Sequence, residues 1–310
     1  MENILNWGID VVLWFQQFSP TLDLPFKVLT SLGNKEFYLL LMPLVYWCIN
    51  VRVGARLFLL LLVSAYLNDV AKLLVGQPRP FDYDPRVIKL VHEDSGGLPS
   101  GHTQSTVVVW GYLASRFKKR PLWLLSGFLI IAIPLSRIYL GAHFPTDLLG
   151  GYAIGALVLF LFIWLDPAIE AWFIRKGMLI QLGVSVGLPL VMIFVIPSGN
   201  DGLLTALGAL MGVAAGVVLE RHWVGFCSDG PWWQRVIRYL VGIVILFGVW
   251  LGLRSAFDQL EPAGLYRIVR YALVGMWGGL GAPWLFVHLK LAGKQADENA
   301  AHPGATAINK

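Results

Sequence analysis

The chain has 310 residues, of which 56% are hydrophobic and 14% charged, and its mean hydropathy is +0.65. A soluble domain of this length is far less apolar, and the hydrophobic residues fall in long blocks without the period-two alternation of a barrel strand, so a soluble or β-barrel protein is excluded and an all-α, polytopic integral membrane protein is expected. The net charge of +5 is therefore read loop by loop as a topology signal, with no nucleic-acid partner expected.

In chain order, Met1–Pro20 lacks the basic region and small-residue cleavage site of a signal peptide. The stretch Ile4–Phe18 is short and contains Asp10, so residues 1–34 are read as an interfacial segment. Apolar runs suited to helices follow at 36–50, 54–75, 103–117, 121–139, 147–165, 177–197, 202–220, 236–253 and 268–289. That makes about nine spans, several shorter than the ~20 residues a bilayer usually needs. Basic connections alternate along the chain: Arg52 and Arg56; Arg116, Lys118, Lys119 and Arg120; Arg175 and Lys176; Arg221 and Arg235; Lys290 and Lys294. These mark the cytoplasmic side. The 76–102 loop, the Arg137–Thr146 corner, the SGND turn at 198–201 and the 254–267 loop fall on the opposite, periplasmic or exterior side. Cys48 and Cys227 are too few and too far apart in sequence for a disulfide frame or a zinc site.

Basic residues are disfavoured in exterior connections, yet they recur there in a pattern. The segment KLLVGQPRP carries Lys72 and Arg79, PSGH at 99–102 opens the next helix, and SRIYLGAHFPTD runs from Ser136 to Asp147. All three lie at one expected membrane face. A phosphate needs several cationic or N–H donors converging on its oxygens; Lys72, Arg79 and Arg137 supply charge, while Ser100 and Gly101 offer backbone N–H groups at a helix start. Gly101 also lets the backbone approach closely. His102 and His143 supply a nucleophile and a general acid, and Asp147, four residues beyond His143, is placed to hold one imidazole nitrogen and leave the other free.

Lys72 with Arg79-Pro80, PSGH at 99–102, and Ser136-Arg137 with His143 and Asp147 resemble, in order, the three signature motifs of the type 2 phosphatidic acid phosphatase superfamily. The resemblance covers roughly 36–165. It implies a helical phosphatase core over 35–166, a reaction needing neither metal nor cofactor, and a covalent phosphohistidine intermediate. Carried over by motif position, His143 is the nucleophile and Asp147 its orienting partner, His102 protonates the leaving group, and Lys72, Arg79, Ser100, Gly101 and Arg137 hold the phosphoryl oxygens.

Each of these residues also has a plainer role open to it. Lys72 and Arg79 could snorkel at a helix end, Arg137 could make an interhelical ion pair, and the histidines could be structural hydrogen-bonders; the joint spacing favours the site. Asp69, three residues before Lys72, is expected either to support that lysine through an ion pair or simply to be buried. Arg86, Lys89 and His92 could grip a second phosphate, but ordinary loop solvation is the preferred reading.

The helices of 167–290 carry no comparable cluster and have no assigned role, and the polar tail at 291–310 is expected to be disordered. IPSGND at 196–201 is read as a turn. Glu220-Arg221-His222 is read as a capping or ion-pair network. RVIRY at 235–239 and RIVRY at 267–271 would place arginines at helix starts facing headgroup phosphates. The helix count resembles that of glucose-6-phosphatases in the same superfamily, an architectural analogy. The expected function is dephosphorylation of a membrane lipid phosphate or diphosphate, of the phosphatidate, phosphatidylglycerophosphate, sphingoid phosphate or isoprenyl diphosphate type, at the outer face of a bacterial-type inner membrane. The expected partners are that lipid and the surrounding bilayer, with the oligomeric state open. Alternatives are a phosphotransferase, a phosphatase of small esters such as hexose phosphate, or a lipid transporter, since intramembrane Asp69 and Glu220 would also suit transport.

Overall fold

In a computed structural model, residues 2–194, 200–257 and 260–294 are described, and among them every regular element is helical. The helices are α1 (Glu2–Gln16), α2 (Asp23–Ser31), α3 (Lys35–Cys48), α4 (Val51–Val75), α5 (Pro80–Tyr83), α6 (Gly101–Phe117) and α7 (Arg120–Tyr139). They continue with α8 (Pro145–Ile174), α9 (Met178–Phe194), α10 (Asp201–Trp223), α11 (Trp232–Phe257), α12 (Ala263–Met276), a π turn at Trp277–Gly281 and α13 (Ala282–His288). The IPSGND turn, apart from Asn200 and Asp201, and the tail from 295 onward lie outside the described residues.

Over the described residues each of the nine expected spans falls on helix, but length divides them. Five helical stretches are long and apolar enough to cross a membrane: Val51–Tyr83, Arg120–Tyr139, Pro145–Ile174, Asp201–Trp223 and Trp232–Phe257. The segments expected at 36–50, 103–117 and 177–197 form α3, α6 and α9 with 14, 17 and 17 residues. At ~1.5 Å per residue α3 and α6 fall short of the ~30 Å hydrocarbon core, and the described part of α9 is no longer than α6. The last expected span is broken by the π turn.

The chain divides into two compact units, residues 1–39 with 63–167, and residues 40–62 with 168–310. In the first, α6 and α7 pack together across a tight connection in which Lys118 takes the left-handed conformation (φ 52°). The N-terminal helices dock on this pair: Leu5, Ile9 and Val12 of α1 bury against Val87, Ile138, Phe144 and Leu148. Ile4, Trp7 and Trp14 point outward. Close helix approach relies on glycine, since a Cβ at Gly151 of α8 would lie 2.7 Å from the Ser100 carbonyl at the head of α6. A buried polar network fixes α4 to α6, with Gln104 Nε2 donating to the Ser64 carbonyl (2.7 Å) and Asn68 Nδ2 to Gln104 Oε1 (2.8 Å).

In the second unit, Gly208, Gly212 and Gly216 let α10 lie directly on α12 and the π turn; a Cβ at Gly212 would sit 2.0 Å from the Ala272 carbonyl. The π turn frees carbonyls, and Tyr46 and Trp47 donate to two of them, Gly279 (3.1 Å) and Gly278 (3.0 Å). Glu220 caps the end of α10 by accepting from the Phe226 amide (2.6 Å). The expectation for the RVIRY arginines is corrected here. Arg238 is fully buried and donates to the carbonyls of Cys227, Ser228 and Asp229, while Arg235 donates to those of Gly230 and Cys48. The orphan carbonyls of the α10–α11 loop capture side chains that hydropathy alone assigns to lipid headgroups.

Candidate active site

Within the first unit the C-terminal ends of α4 and α7 and the N-terminal ends of α6 and α8 come to one end of the helices. This topology alone gathers the three motifs. Lys72 lies in the last turn of α4, Arg137 in the last turn of α7, and Asp147 in the first turn of α8. Gly141, at φ +72°, turns the chain between Arg137 and His143, a conformation that favours glycine. The amides of Ala142 and His143 then close back onto the Arg137 carbonyl at 3.0 and 3.3 Å.

His143 and Asp147 form a buried pair, with Nδ1 3.1 Å from Oδ2. The carboxylate is itself held on both oxygens: Oδ2 also accepts from the Phe144 amide (2.9 Å) and Oδ1 from Gln77 Nε2 (2.6 Å). A carboxylate so engaged accepts from Nδ1–H, which leaves the Nε2 lone pair facing Arg79 Nη1 at 3.3 Å. Burial, then the nearby Arg79, Arg137 and Lys72 cations, holds the His143 imidazole well below the ordinary histidine range, so it is neutral at pH 7.

Arg79 and Arg137 are each only 1% exposed. Arg79 also donates to the carbonyls of Ala142 (2.9 Å) and Ser95 (2.7 Å), and Lys72 Nζ donates to Ser95 Oγ (2.9 Å). Between the arginines lies Glu93, whose Oε1 pairs with Arg137 Nη2 and whose Oε2 is 3.4 Å from Arg79 Nη2. Arg137 Nη1 donates to Thr30 Oγ1 (2.7 Å), while its buried Nε–H has no acceptor among the described residues. On the other side His102 opens α6, its Nε2 2.9 Å from Asn34 Oδ1. Burial, then Arg137, Lys72 and Arg79, lowers its pKa as well.

The structure thus brings together Lys72, Arg79, Ser100, Gly101, His102, Arg137, His143 and Asp147, with two adjustments to the sequence reading. The Ser100 amide is taken by the Asp147 carbonyl (2.9 Å), and its hydroxyl caps α6 by accepting from the Thr103 amide (3.4 Å). The first-turn amides that follow it are the ones an α-helix leaves without an internal partner. Asp69 makes no ion pair with Lys72: the ammonium turns to Ser95 in the loop and Asp69 is left in partial burial on α4. Arg86, Lys89 and His92 do not join the site. Arg86 pairs with Asp84, His92 with Asp94, and the Lys89 ammonium rests 4.4 Å over the Phe81 ring. Thr30, Asn34, Gln77, Glu93 and Ser95 are contacts that sequence reasoning missed. Among the described residues no group of three or more His, Cys, Asp and Glu side chains is arranged to hold a metal ion.

Fold and site together define a helical integral membrane protein with a buried cationic cradle around a carboxylate-held histidine. Residues 54–170 match the PAP2 superfamily, and residues 204–294 match the transmembrane extension of PAP2 superfamily phosphatases. The chain is 34% identical over 164 residues to phosphatidylglycerophosphatase B of Bacillus subtilis, covering 46% of this chain and 74% of that protein. It is 28% identical to lipid phosphate phosphatase delta of Arabidopsis thaliana, over 54% of this chain and 44% of the plant protein. It is 30% identical to sphingosine-1-phosphate phosphatase 1 of Rattus norvegicus, over 46% and 34% of the two chains. The crystal structure of a transmembrane PAP2-type phosphatidylglycerolphosphate phosphatase from Bacillus subtilis covers 55% of this chain and 89% of its own, with 26% identity and a TM-score of 0.47. The chain belongs to the PAP2 superfamily. Its C-terminal helices, unassigned from sequence, fall largely within the superfamily's transmembrane extension.

Proposed function

We propose that the protein dephosphorylates a membrane lipid phosphate through a phosphohistidine formed on His143. The observation that carries this is the two-sided hold on the imidazole: Asp147 takes Nδ1–H and the free Nε2 faces the Arg79 guanidinium. Nε2 attacks phosphorus while the bond to the lipid oxygen breaks, and His102 passes its proton to that oxygen. Water then attacks phosphorus, its proton goes to His102, the P–N bond breaks with its electron pair returning to Nε2, and inorganic phosphate leaves. Lys72, Arg79, Arg137 and the Gly101 amide hold the equatorial oxygens, where preorganised charge lowers the barrier most. Burial depresses His102 most in the resting site and Arg137, Lys72 and Arg79 add to it; a phosphate dianion neutralises the cationic part, so substrate arrival shifts His102 toward the protonated form that must donate.

The relatives' names share a phosphate on a lipid and differ in the lipid: phosphatidylglycerophosphate, sphingosine 1-phosphate, and undecaprenyl diphosphate for a Sulfolobus acidocaldarius relative 27% identical over 118 residues. A panel of these with phosphatidate in mixed micelles separates them. The exposed Ile4, Trp7 and Trp14 of α1 support an N-terminal segment lying in the interface, and the basic 51–56, 116–120 and 166–176 connections support a site facing outward from a bacterial-type inner membrane. To test the mechanism, protein quenched during turnover of a 32P-labelled lipid phosphate should carry acid-labile, base-stable label, absent from His143→Ala. Label or substantial turnover persisting in that variant refutes the assignment.

A further inference from the structure

Three contacts converge on the site from one short stretch that precedes the first family motif. Residues 30–34 run from the last turn of α2 through its connection to α3, whereas the match to the PAP2 superfamily begins at residue 54. Thr30 Oγ1 accepts from Arg137 Nη1 at 2.7 Å. Gly33 presses on the His102 ring so closely that a Cβ there would stand 2.7 Å from His102 Cδ2 and 2.9 Å from Ile133 Cγ2. Asn34 Oδ1 lies 2.9 Å from His102 Nε2.

The two histidines are held in chemically different ways. His143 has a carboxylate partner, which stabilises positive charge on the ring and suits a nitrogen that must become bonded to phosphorus. His102 has a single side-chain partner among the described residues, and that partner is a neutral carboxamide. A carboxamide oxygen accepts only from a protonated nitrogen, so it fixes ring orientation and tautomer. Carrying no charge, it does not bind the proton as a carboxylate would. A group that must give its proton to a leaving oxygen needs that combination of fixed aim and loosely held proton.

We propose that Asn34 is a positioning residue for His102: its Oδ1 keeps Nε2 protonated and the ring aimed, Gly33 seats the ring, and Nδ1 is left to gain and lose the transferred proton. The segment before the first membrane span is then part of the catalytic apparatus. This rests on the general-acid reading of His102 given above. An alkyl phosphate needs a proton on its departing oxygen, while a nitrophenyl phosphate leaves as a stable phenolate, so the two substrates separate acid catalysis from everything else.

The test uses the full chain in detergent micelles with both substrates, Asn34→Ala, Asn34→Asp, and His102→Ala as reference. Asn34→Ala should lose at least about tenfold more kcat on a lipid phosphate than on 4-nitrophenyl phosphate, with little change in KM. His102→Ala should show the same bias more strongly. Histidine 15N NMR should find neutral His102 as the Nε2–H tautomer in the wild type and as a mixture in Asn34→Ala. Asn34→Asp, isosteric and still an acceptor, should keep the tautomer and carries the test should the alanine variant fail to fold. Equal loss on both substrates, no loss, or an unchanged tautomer in Asn34→Ala, with His102→Ala still biased, overturns the role of Asn34, as does loss of the Nε2–H tautomer in Asn34→Asp. If His102→Ala itself shows no bias, the general-acid reading fails and the positioning role falls with it.

Discussion

Glu93 holds the place between Arg79 and Arg137 that a phosphoryl group would claim, and this fixes the sign of one perturbation. Glu93→Gln keeps an acceptor oxygen and nearly the same shape but removes the charge. Hydrogen bonds to charged groups contribute about 1.5–3 kcal/mol. Glu93 bonds both arginines, yet its side chain is 24% exposed against 1% for each of them, so solvent screens part of that. A discounted difference of about 1–2 kcal/mol remains, or about five- to thirtyfold in affinity for an anion competing for the same donors. The inhibition constant of inorganic phosphate should therefore fall by that factor. The same substitution leaves two buried guanidinium groups less compensated, so the thermal midpoint without ligand should fall as well. Tighter phosphate with lower stability is the signature of a resident carboxylate displaced by substrate. Weaker or unchanged phosphate inhibition in a folded Glu93→Gln protein would refute the reasoning and make Glu93 a strut for the arginines.

In Asp147→Asn the Phe144 amide donates where Oδ2 lay, so the asparagine must present oxygen there and its NH2 to Gln77, whose amide can turn to accept; the Nδ1–H tautomer survives and charge alone is lost. kcat should fall by about 10²-fold, less than the ~10⁴-fold of a triad carboxylate whose replacement inverts the tautomer; a loss of that larger size would show that the tautomer had flipped. Because burial and neighbouring cations lower the His143 pKa, the neutral nucleophile persists as pH falls, and the acid limb of kcat/KM should lie below the ordinary histidine value of about 6.5 once substrate ionisation is measured separately. By the same sign the unfolded chain binds a proton that the fold excludes, so this group costs stability as pH drops below about 6.5; an acid limb at or above that value contradicts the burial argument. EDTA should leave the rate unchanged, since Lys72, Arg79 and Arg137 already supply the positive charge, and strict dependence on added magnesium would mean the cradle has been misread. Single cysteines at Ser95 and Lys119, in a Cys48→Ala, Cys227→Ser background, should react with an impermeant maleimide on intact spheroplasts at 95 and not at 119; the reverse pattern moves the site to the cytoplasm.

What sequence could and could not reveal follows from how residues betray themselves. A lysine, arginine or histidine next to an apolar run needs a reason, so Lys72, Arg79, His102, Arg137 and His143 stood out, and local spacing sufficed because each motif is a short stretch at or between helix ends. The partners are different. Asn34, Thr30 and Glu93 lie 68, 107 and 44 residues from the side chains they hold, in connections or at a helix end where polar residues are unremarkable. Local rules also misled where a nonlocal acceptor was better placed. The i,i+3 rule paired Asp69 with Lys72, but Ser95 lies where the ammonium reaches, and Arg235 and Arg238, assigned to headgroups, met loop carbonyls instead. Span counting located helices but did not separate those long enough to cross a bilayer from those that are not, because hydropathy records which residues avoid water and a short helix packed in protein avoids it as well as one in lipid. The cations and histidines of this candidate site are thus legible residue by residue, while the partners that hold them, Glu93 as well as the neutral Asn34 and Thr30, become visible only when the helices close. A motif-matched enzyme of this kind should therefore tune its chemistry through positions like 34 that lie outside the motif.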